Sequence, residues 1–280
     1  MGKLFLYFRT LRPIDSAVCI LISLVTAIGI SFLFGLPLTL DIFVKIFIII
    51  TISSFYAFAS NNFFDKKIDS QNNIKDKRNP FSRGLLLKQE MIGIISILFI
   101  FWFLFTYIWF PSLLPIVLLV MIDVTLYSKY FKLLPIVDLA SHFISVFYLF
   151  LFPALVLNLP TNIILIGAIG FFGISNLGEL NNQFLDFEFD KKSKIKTTAV
   201  FFGKKVSKII SYISIILVLV SIIWISIILN RFLPLVFSPL LAINILRIKN
   251  NFLGENYEKI YIVCIFLALL VSGGLFLIGF

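Results

Sequence analysis

The chain has 280 residues, of which 60% are hydrophobic and 14% charged, and its mean hydropathy is +1.06. Soluble domains are about 45–50% apolar and about 25% charged, so this composition excludes an ordinary soluble globular protein. The formal net charge is +10, from 24 Lys and Arg against 14 Asp and Glu.

Apolar segments of membrane-spanning length recur along the whole chain. A spanning helix needs about 20 predominantly apolar residues. The sequence predicts nine such helices, at residues 14–35, 41–62, 89–110, 112–128, 136–157, 162–184, 206–229, 232–247 and 257–279. We therefore expect an all-α membrane protein with one transmembrane domain over residues 1–280. Its nine helices would surround a central polar cavity that opens at the cytoplasmic side.

The cations predict the orientation of this bundle. With nine spans, 22 of the 24 Lys and Arg residues fall on one side, and only Lys45 and Arg231 fall on the other. The positive-inside rule makes the cation-rich side cytoplasmic. The N-terminal segment and the loops after spans 2, 4, 6 and 8 should therefore face the cytoplasm. In a prokaryote, the membrane would be the plasma membrane.

Acidic residues cluster at the cytoplasmic ends of predicted spans 2 and 6. Both clusters have an Asn and two Asp residues at positions i, i+4 and i+8: Asn61, Asp65 and Asp69, and Asn182, Asp186 and Asp190. Residues at this spacing lie on one face of a helix. Carboxylates four residues apart destabilise a helix by repulsion, which a bound divalent cation would remove.

The donor atoms in these motifs indicate a hard metal ion. All are oxygens, and His142 is the only histidine, which excludes a site built from several histidines. Oxygen donors suit Mg²⁺ or Mn²⁺ rather than zinc. Two facing motifs would hold two ions around one diphosphate, because Mg²⁺ usually shares substrate phosphates with one or two carboxylates. The alternative is a pair of solvated acidic loops neutralised by lysines, and the repeated spacing favours the metal site.

Other charged residues support or surround the motifs. A departing diphosphate needs cationic partners. The loops after spans 2 and 6 supply candidates, each of which can instead serve topology alone: Lys75, Lys77, Arg78, Arg83, Lys194 and Lys196. Two further acids, Asp123 in span 4 and Asp138 at the start of span 5, lie where a charge is costly. Asp138 can cap its helix or act in the site. Asp123 can orient Lys132 or the acceptor, or can be a buried structural residue with hydrogen bonds.

The motifs resemble those of the UbiA superfamily of intramembrane prenyltransferases. The first family signature, N-D-x-x-D-x-x-x-D, is matched except that Asn62 stands at its second position. The second signature, D-x-x-x-D, is matched at Asp186 and Asp190 and is followed by KIKTTAVFFG, which ends at Gly203. The loop after span 4, LYSKYFK, matches a family element with a Tyr-Ser pair and a basic residue. The family element x-K-P-x-R-P-x-P-S-G is altered to KRNPFSRG.

The resemblance implies transfer of an isoprenyl chain from an isoprenyl diphosphate to a lipophilic acceptor, after Mg²⁺-assisted ionisation. It implies two Mg²⁺ ions bridging the diphosphate, contact with membrane lipid and no nucleic-acid partner. The implied catalytic residues are Asp65, Asp69, Asp186, Asp190 and Tyr127, and the implied metal ligands are those four aspartates with Asn61 and Asn182. The implied diphosphate-binding residues are Lys75, Lys77, Arg78, Arg83, Ser128, Lys132 and Lys194.

The sequence leaves the acceptor open. An aromatic acid, a quinone precursor, a carotenoid, a glycerol-phosphate lipid and a porphyrin-type ring all fit, and the prenyl length is equally open. The alternative function is a cation-coupled secondary transporter with duplicated halves. Such transporters place ionisable residues near the membrane midplane on broken helices, whereas the acids here lie at the ends of the predicted spans.

Overall fold

The fold is given by a computed structural model that describes residues 2–71 and 73–230, together with Ile245 and Ile248. All regular structure in this described part is helical. It consists of α1 (Lys3–Thr10), α2 (Pro13–Phe34), α3 (Leu40–Phe64), α4 (Lys66–Asp69), α5 (Asn73–Arg78), α6 (Lys88–Trp109), α7 (Leu114–Lys129), α8 (Val137–Val156), α9 (Thr161–Leu185), α10 (Phe187–Lys192) and α11 (Thr198–Leu229). Two 3₁₀ turns, Pro111–Leu113 and Phe131–Leu133, flank α7.

Seven of these helices are long and apolar enough to cross a membrane: α2, α3, α6, α7 with its preceding turn, α8, α9 and α11. They correspond to the first seven predicted spans. The described part of the chain is therefore all-helical, as expected of an integral membrane protein. The last two predicted spans, 232–247 and 257–279, lie outside the described residues except for Ile245 and Ile248. The count of nine helices, the side on which a cavity opens and the single domain over residues 1–280 therefore stay predictions.

One helix start differs clearly from its prediction. The seventh span was expected to begin at residue 206, but α11 begins at Thr198. Inside α11, Gly203 has φ 78° and ψ 164°, which interrupts the helical backbone. Such a backbone is strained for any residue with a Cβ. The apolar run that marks the span in the sequence thus begins just after a kink at Gly203. The other six spans agree with the structure to within two residues at each end.

The described chain forms two compact units, and the division falls within α8. The first contains residues up to Lys132 together with Ile144–Pro160. In this unit α3 contacts α2, α6 and α7. Trp102 of α6 is fully buried, and its indole N–H donates to the Tyr148 hydroxyl at 3.2 Å. The Tyr56 ring of α3 lies 5.6 Å from the Trp102 ring, so aromatic side chains join three helices.

Within the first unit, one carboxylate joins the N-terminal helix α1 to α6. Glu90, in the first turn of α6, accepts hydrogen bonds from the backbone N–H of Leu87 at 2.8 Å, the Tyr7 hydroxyl at 2.9 Å and the Lys3 ammonium at 2.7 Å. An acid in the first turn stabilises a helix through its unpaired N–H groups. Glu90 therefore stabilises the start of α6 and fixes α1 beside it.

The second unit contains Leu133–Phe143 and the described residues from Thr161 onward. Its main contact joins α9 to α11 through small residues. A Cβ at Gly173 would lie 2.4 Å from the Ser214 carbonyl oxygen, and one at Gly170 would lie 2.7 Å from the Ser221 hydroxyl oxygen. The Ser221 hydroxyl donates to the Ile166 carbonyl at 2.8 Å. Small residues allow such close approach of helices in membranes, where the hydrophobic effect does not drive their association.

We expect Gly173→Ala to destabilise the protein, because the new methyl group would push α9 away from the α11 backbone. Overpacking of this kind costs about 1–3 kcal/mol, and the midpoint of thermal unfolding in detergent should fall. The matched control is Gly93→Ala in α6, where a Cβ would meet nothing within 4 Å. A Gly173→Ala protein as stable as the Gly93→Ala protein would contradict this account of the packing.

Candidate functional site

Both acidic motifs bend the chain at the central aspartate. In the first unit α3 ends at Phe64, and α4 begins just after Asp65, whose φ and ψ are −83° and 0°. In the second unit α9 ends at Leu185, and α10 begins just after Asp186, at −90° and −2°. A ψ near 0° belongs to the sparsely populated region between helix and strand. The two motifs therefore share a local backbone conformation as well as a spacing.

The helical hydrogen bonds continue through each bend. In the first motif, the N–H of Asp65 donates to the Asn61 carbonyl at 2.9 Å, and the N–H of Asp69 to the Asp65 carbonyl at 2.8 Å. In the second motif, the equivalent bonds of Asp186 and Asp190 measure 3.0 and 2.8 Å. Because these i to i+4 bonds are intact, each motif keeps its Asn and two Asp residues along one stripe, as the spacing predicted.

Burial in the two motifs increases toward the last aspartate. Asp69 is 2% exposed and Asp190 is 6% exposed, whereas Asp65 and Asp186 are half-buried. Asn61 is half-buried and Asn182 is exposed. Burial raises the pKa of Asp69 above its ordinary value, and a hydrogen bond from Asn79 and the charge of Arg12 partly oppose this shift.

The buried Asp69 is held by a residue that the sequence did not single out. The Asn79 amide donates to the Asp69 carboxylate and to the Asn62 carbonyl, both at 2.8 Å. Its side-chain oxygen accepts from the backbone N–H of Phe81 at 3.0 Å. Asn79 is fully buried and belongs to the KRNPFSRG segment. This altered segment is therefore a loop organised around Asn79. In the sequence, the only sign of this role is an Asn within an otherwise cationic loop.

The half-buried Asp65 forms an ion pair with Lys132. The Lys132 ammonium is also 3.5 Å from the Asn61 side-chain oxygen. Lys132 lies in the 3₁₀ turn after α7. Tyr127 is half-buried and Ser128 is buried, and both lie in the last turn of α7. The structure thus places this loop element next to the first motif through Lys132.

Asn62, which departs from the family signature, has a structural role here. It is fully buried. Its amide donates to the Thr10 carbonyl at 2.8 Å, and its oxygen accepts from the Arg12 guanidinium at 2.6 and 2.9 Å. A carboxylate at this position could accept from Arg12 but could not donate to Thr10. Burial lowers the pKa of Arg12, which the negative charges of Asp69 and Asp15 partly offset.

The predicted diphosphate-binding cations of the first unit occupy different environments. Lys75 is half-buried, and its charge acts on Asp69. Lys77, Arg78 and Arg83 are exposed. Lys77 and Arg83 line an open pocket together with Arg9 and Asp76, and the Arg9 guanidinium donates to the Lys77 carbonyl. Within this unit, the structure brings Lys75 and Lys132 close to the motif and leaves the exposed cations at the surface.

The second motif is anchored by Gln183, the neighbour of Asn182. The Gln183 amide donates to Asp138 at 2.8 Å and to Glu179 at 3.0 Å. Its oxygen accepts from the backbone N–H of Ala199 at 2.9 Å. Gln183 is 3% exposed, so all its polar atoms are used inside the protein. It connects the end of α9 to the starts of α8 and α11.

The role of Asp138, which the sequence left open, is a cross-link between helices. Its carboxylate accepts from the Thr198 N–H at 2.8 Å, the Thr198 hydroxyl at 2.5 Å and the Leu139 N–H at 2.8 Å. Asp138 is fully buried. Two of these bonds reach α11, so Asp138 fixes the start of α11. The other open acid, Asp123, is buried in α7 and accepts from the Ser145 hydroxyl at 3.4 Å.

The loop after the second motif is held by backbone bonds. The N–H of Ile195 donates to the Asp190 carbonyl at 2.8 Å. The preceding residue, Lys194, has a positive φ of 59° and is exposed. The positive φ values of Gly84 and Gly203, which follow the two motifs, measure 69° and 78°. Because Lys194 is exposed, it lies at the surface, like Lys77, Arg78 and Arg83 after the first motif.

The donor atoms present fit a hard divalent ion. Each motif offers two carboxylates and one amide oxygen along a stripe. Among the described residues, no group of three or more His, Cys, Asp or Glu side chains could by itself hold a metal. Mg²⁺ usually takes one or two protein carboxylates and completes its shell with water and substrate phosphate.

In the part of the chain that the structure describes, membrane-spanning helices carry a duplicated carboxylate motif. The sequence profile described as the UbiA prenyltransferase family matches residues 21–271. The chain therefore belongs to the UbiA prenyltransferase family. This membership supports no transporter function, and the motif acids lie at or just beyond the ends of α3 and α9 rather than in their middles. A comparison of the sequence with curated proteins found no match.

Solved structures share the fold. A UbiA homologue from Archaeoglobus fulgidus bound to GPP and Mg²⁺ has a TM-score of 0.73 and 18% identity, over 95% of this chain and 99% of that chain. A digeranylgeranylglyceryl phosphate synthase has a TM-score of 0.72 and 19% identity, over 96% and 97%. The apo UbiA homologue from Aeropyrum pernix K1 has a TM-score of 0.71 and 17% identity, over 90% and 97%. At these identities the similarity establishes the fold alone.

Proposed function

We propose that the chain transfers an isoprenyl group from an isoprenyl diphosphate to a lipophilic acceptor within the membrane. The observation that carries this proposal is the shared geometry of the two motifs, with the same spacing, the same bend and the same burial of the last aspartate. Family membership supports it. So do the A. fulgidus homologues, one bound to GPP and Mg²⁺ and another bound to DMAPP and Mg²⁺.

Two Mg²⁺ ions are expected, one for each motif. Six side chains would hold them: Asn61, Asp65, Asp69, Asn182, Asp186 and Asp190. When bound, Mg²⁺ supplies Lewis-acid charge to the phosphoryl oxygens and favours departure of the diphosphate. Asp69 and Asp190 are buried, and Asn79 holds Asp69 in place; a preorganised carboxylate limits the reorganisation needed when charge develops.

The leaving diphosphate would be stabilised mainly by residues of the first unit. Lys132 pairs with Asp65, so its ammonium is already placed beside the motif and can pair with a diphosphate held there. Lys75 acts on Asp69 through its charge. Tyr127 and Ser128 offer hydroxyl donors in the adjacent turn. We propose supporting roles for Lys77, Arg78, Arg83 and Lys194, whose exposed positions suit attraction of an anionic substrate.

The remaining steps concern the allylic cation. Breaking the C–O bond leaves a carbon that water quenches, so the site must exclude water until an acceptor attacks. The prenyl tail would lie among apolar side chains, where burial of each CH₂ contributes about 0.8 kcal/mol.

The outer surface of the spanning helices suits contact with membrane lipid. It carries many exposed apolar residues, including Leu21, Ile100, Ile108, Ile216 and Ile227.

The function predicts that Asp65→Asn and Asp186→Asn each lower Mg²⁺-dependent release of pyrophosphate from GPP by more than about 100-fold, a loss typical for removal of one charge-stabilising group. Each change removes one negative charge from a proposed ligand set and preserves the side-chain shape. The assay is pyrophosphate release by detergent-purified protein, with thermal unfolding to verify folding.

The matched control for these variants is Asp41→Asn, at the opposite end of α3 from Asp65. Asp41 is 67% exposed and pairs with Lys45, so this change should leave turnover near wild type. Near-normal turnover by either motif variant at saturating Mg²⁺ would refute the proposed role of that motif.

Ionisation before attack predicts a specific response to fluorinated substrate. A prenyl diphosphate with fluorine near C1 forms a less stable cation but keeps the same diphosphate and tail. It should bind like GPP and react much more slowly, which competition binding and single-turnover kinetics would measure. An unchanged chemical step would eliminate ionisation as the mechanism for this chain.

We also propose that the motif-bearing ends of the helices face the cytoplasm. Single cysteines at Ser70 and Lys192, both exposed, should resist a membrane-impermeant maleimide in intact cells and react after lysis. The positive control is Asp41→Cys, which should react in intact cells. The background would replace Cys19 and Cys264 with Ala. Labelling at Ser70→Cys or Lys192→Cys from outside would contradict the orientation.

A further inference from the structure

The second unit contains an acid–base pair that the mechanism above does not use. His142 of α8 and Glu179 of α9 face each other, with the imidazole Nε2 3.7 Å from a carboxylate oxygen of Glu179. The other ring nitrogen, Nδ1, lies 2.9 Å from the Ser175 hydroxyl. The second carboxylate oxygen of Glu179 accepts from Gln183 at 3.0 Å. The His142 and Glu179 side chains are 23% and 9% exposed.

The distance between His142 and Glu179 suits a bridging hydroxyl group. At 3.7 Å the two side chains are too far apart for a direct hydrogen bond, yet one oxygen can lie about 2.8 Å from both. That oxygen would have to donate to the carboxylate and accept from the ring, which a hydroxyl can do. A Ser175 hydroxyl that donates to Nδ1 leaves the ring proton on Nε2, where it can be donated to the bridging oxygen.

Glu179 lies on the same stripe of α9 as the second motif. Glu179 precedes Asn182 by three residues and Asp186 by seven, and residues at these intervals share one face of a helix. Seven residues correspond to about 10 Å along the helix axis. Glu179 is therefore about two turns further into the spanning helix than the proposed diphosphate site. The reacting carbon is bonded to a diphosphate oxygen, so it would lie between the diphosphate site and Glu179.

A neighbouring amide provides an independent indication of a ligand. Asn176 is 3% exposed, and its side-chain oxygen has no hydrogen-bond partner among the residues that the structure describes. It lies one turn from Glu179. A buried polar atom without a partner carries a desolvation penalty of about 1–3 kcal/mol, which a polar group on a ligand would relieve.

We propose that His142 and Glu179 bind the prenyl acceptor, and that this acceptor carries a hydroxyl group. The inference rests on the proposed prenyl transfer. In the step, the bond between prenyl C1 and the diphosphate oxygen breaks, and its electron pair leaves with the diphosphate. A lone pair of the acceptor oxygen forms the new bond to C1. The acceptor proton passes to the Glu179 carboxylate, and His142 orients the oxygen. The products are a prenyl ether and inorganic diphosphate.

The test separates capture of the prenyl cation by a hydroxyl acceptor from its capture by water. Protein, GPP and Mg²⁺ are incubated with either of two lipophilic probes, a 4-alkylphenol or a 1,2-dialkylglycerol, or with the methyl ether of each. Mass spectrometry measures the prenyl ether of the probe, and the prenyl alcohol that forms with water. Wild type should prenylate at least one hydroxyl probe and neither methyl ether.

Glu179→Gln preserves the shape of the side chain but removes the base. It should lower formation of the prenyl ether by at least about 100-fold, within the range for loss of general-base catalysis, while prenyl alcohol formation and GPP binding stay near wild type. A merely structural role would lower both products together. The matched control is Glu188→Gln, because Glu188 is 80% exposed and pairs with Lys204. Both of its products should match wild type.

His142→Gln provides a second variant if Glu179→Gln fails to fold, and it should also shift the product ratio toward prenyl alcohol. The proposal is overturned if a folded Glu179→Gln or His142→Gln protein keeps the wild-type product ratio. It is also overturned if wild type accepts the methyl ethers, or releases pyrophosphate from GPP without prenylating either hydroxyl probe. Absence of Mg²⁺-dependent pyrophosphate release by wild type would instead refute the proposed function itself.

Discussion

The structure depends on satisfying carboxylates that are buried at the ends of lipid-embedded helices. An isolated charge in such a place is costly, and an aspartate persists there only when donors surround it. Asp138 illustrates the constraint, because it accepts hydrogen bonds from two groups of Thr198 and from Gln183. Asp69 is held by Asn79 in the same way. The Gln183 and Thr198 donors to Asp138 lie 45 and 60 residues away in sequence, so this carboxylate also fixes where α11 begins.

Amide side chains form many of the hydrogen bonds that connect these segments, because an amide can donate and accept at the same time. A carboxylate can only accept and an ammonium can only donate, whereas Asn and Gln can join a carbonyl or carboxylate on one side to an N–H on the other. Asn79 joins Asp69 to the backbone of Phe81, and Gln183 joins Asp138 to the backbone of Ala199. In the first motif, Asp69 thus has a neutral amide donor, whereas Asp65 is paired with the Lys132 ammonium.

The sequence predicted the apolar spans and the motif stripes because both are periodic. A run of about 20 apolar residues has few alternatives to a spanning helix, and i, i+4, i+8 spacing defines a helix face whatever the surroundings. It did not predict Asn79 or Gln183, since a buried amide has no spacing rule and its partners come from other segments. Nor did it predict the early start of α11, because the kink at Gly203 interrupts a helix at a point that composition does not mark.

The two halves also correspond at one position beyond the repeated pattern. Asn62 follows Asn61, and Gln183 follows Asn182, so these buried amides occupy equivalent places in the two motifs. Asn62 joins its helix to Thr10 and Arg12, just before α2, and Gln183 joins its helix to Ala199, at the start of α11. Each amide thus fixes a motif to the beginning of a spanning helix. A carboxylate at position 62 would lose the bond to Thr10, which explains in physical terms why this chain has Asn where the family signature has Asp.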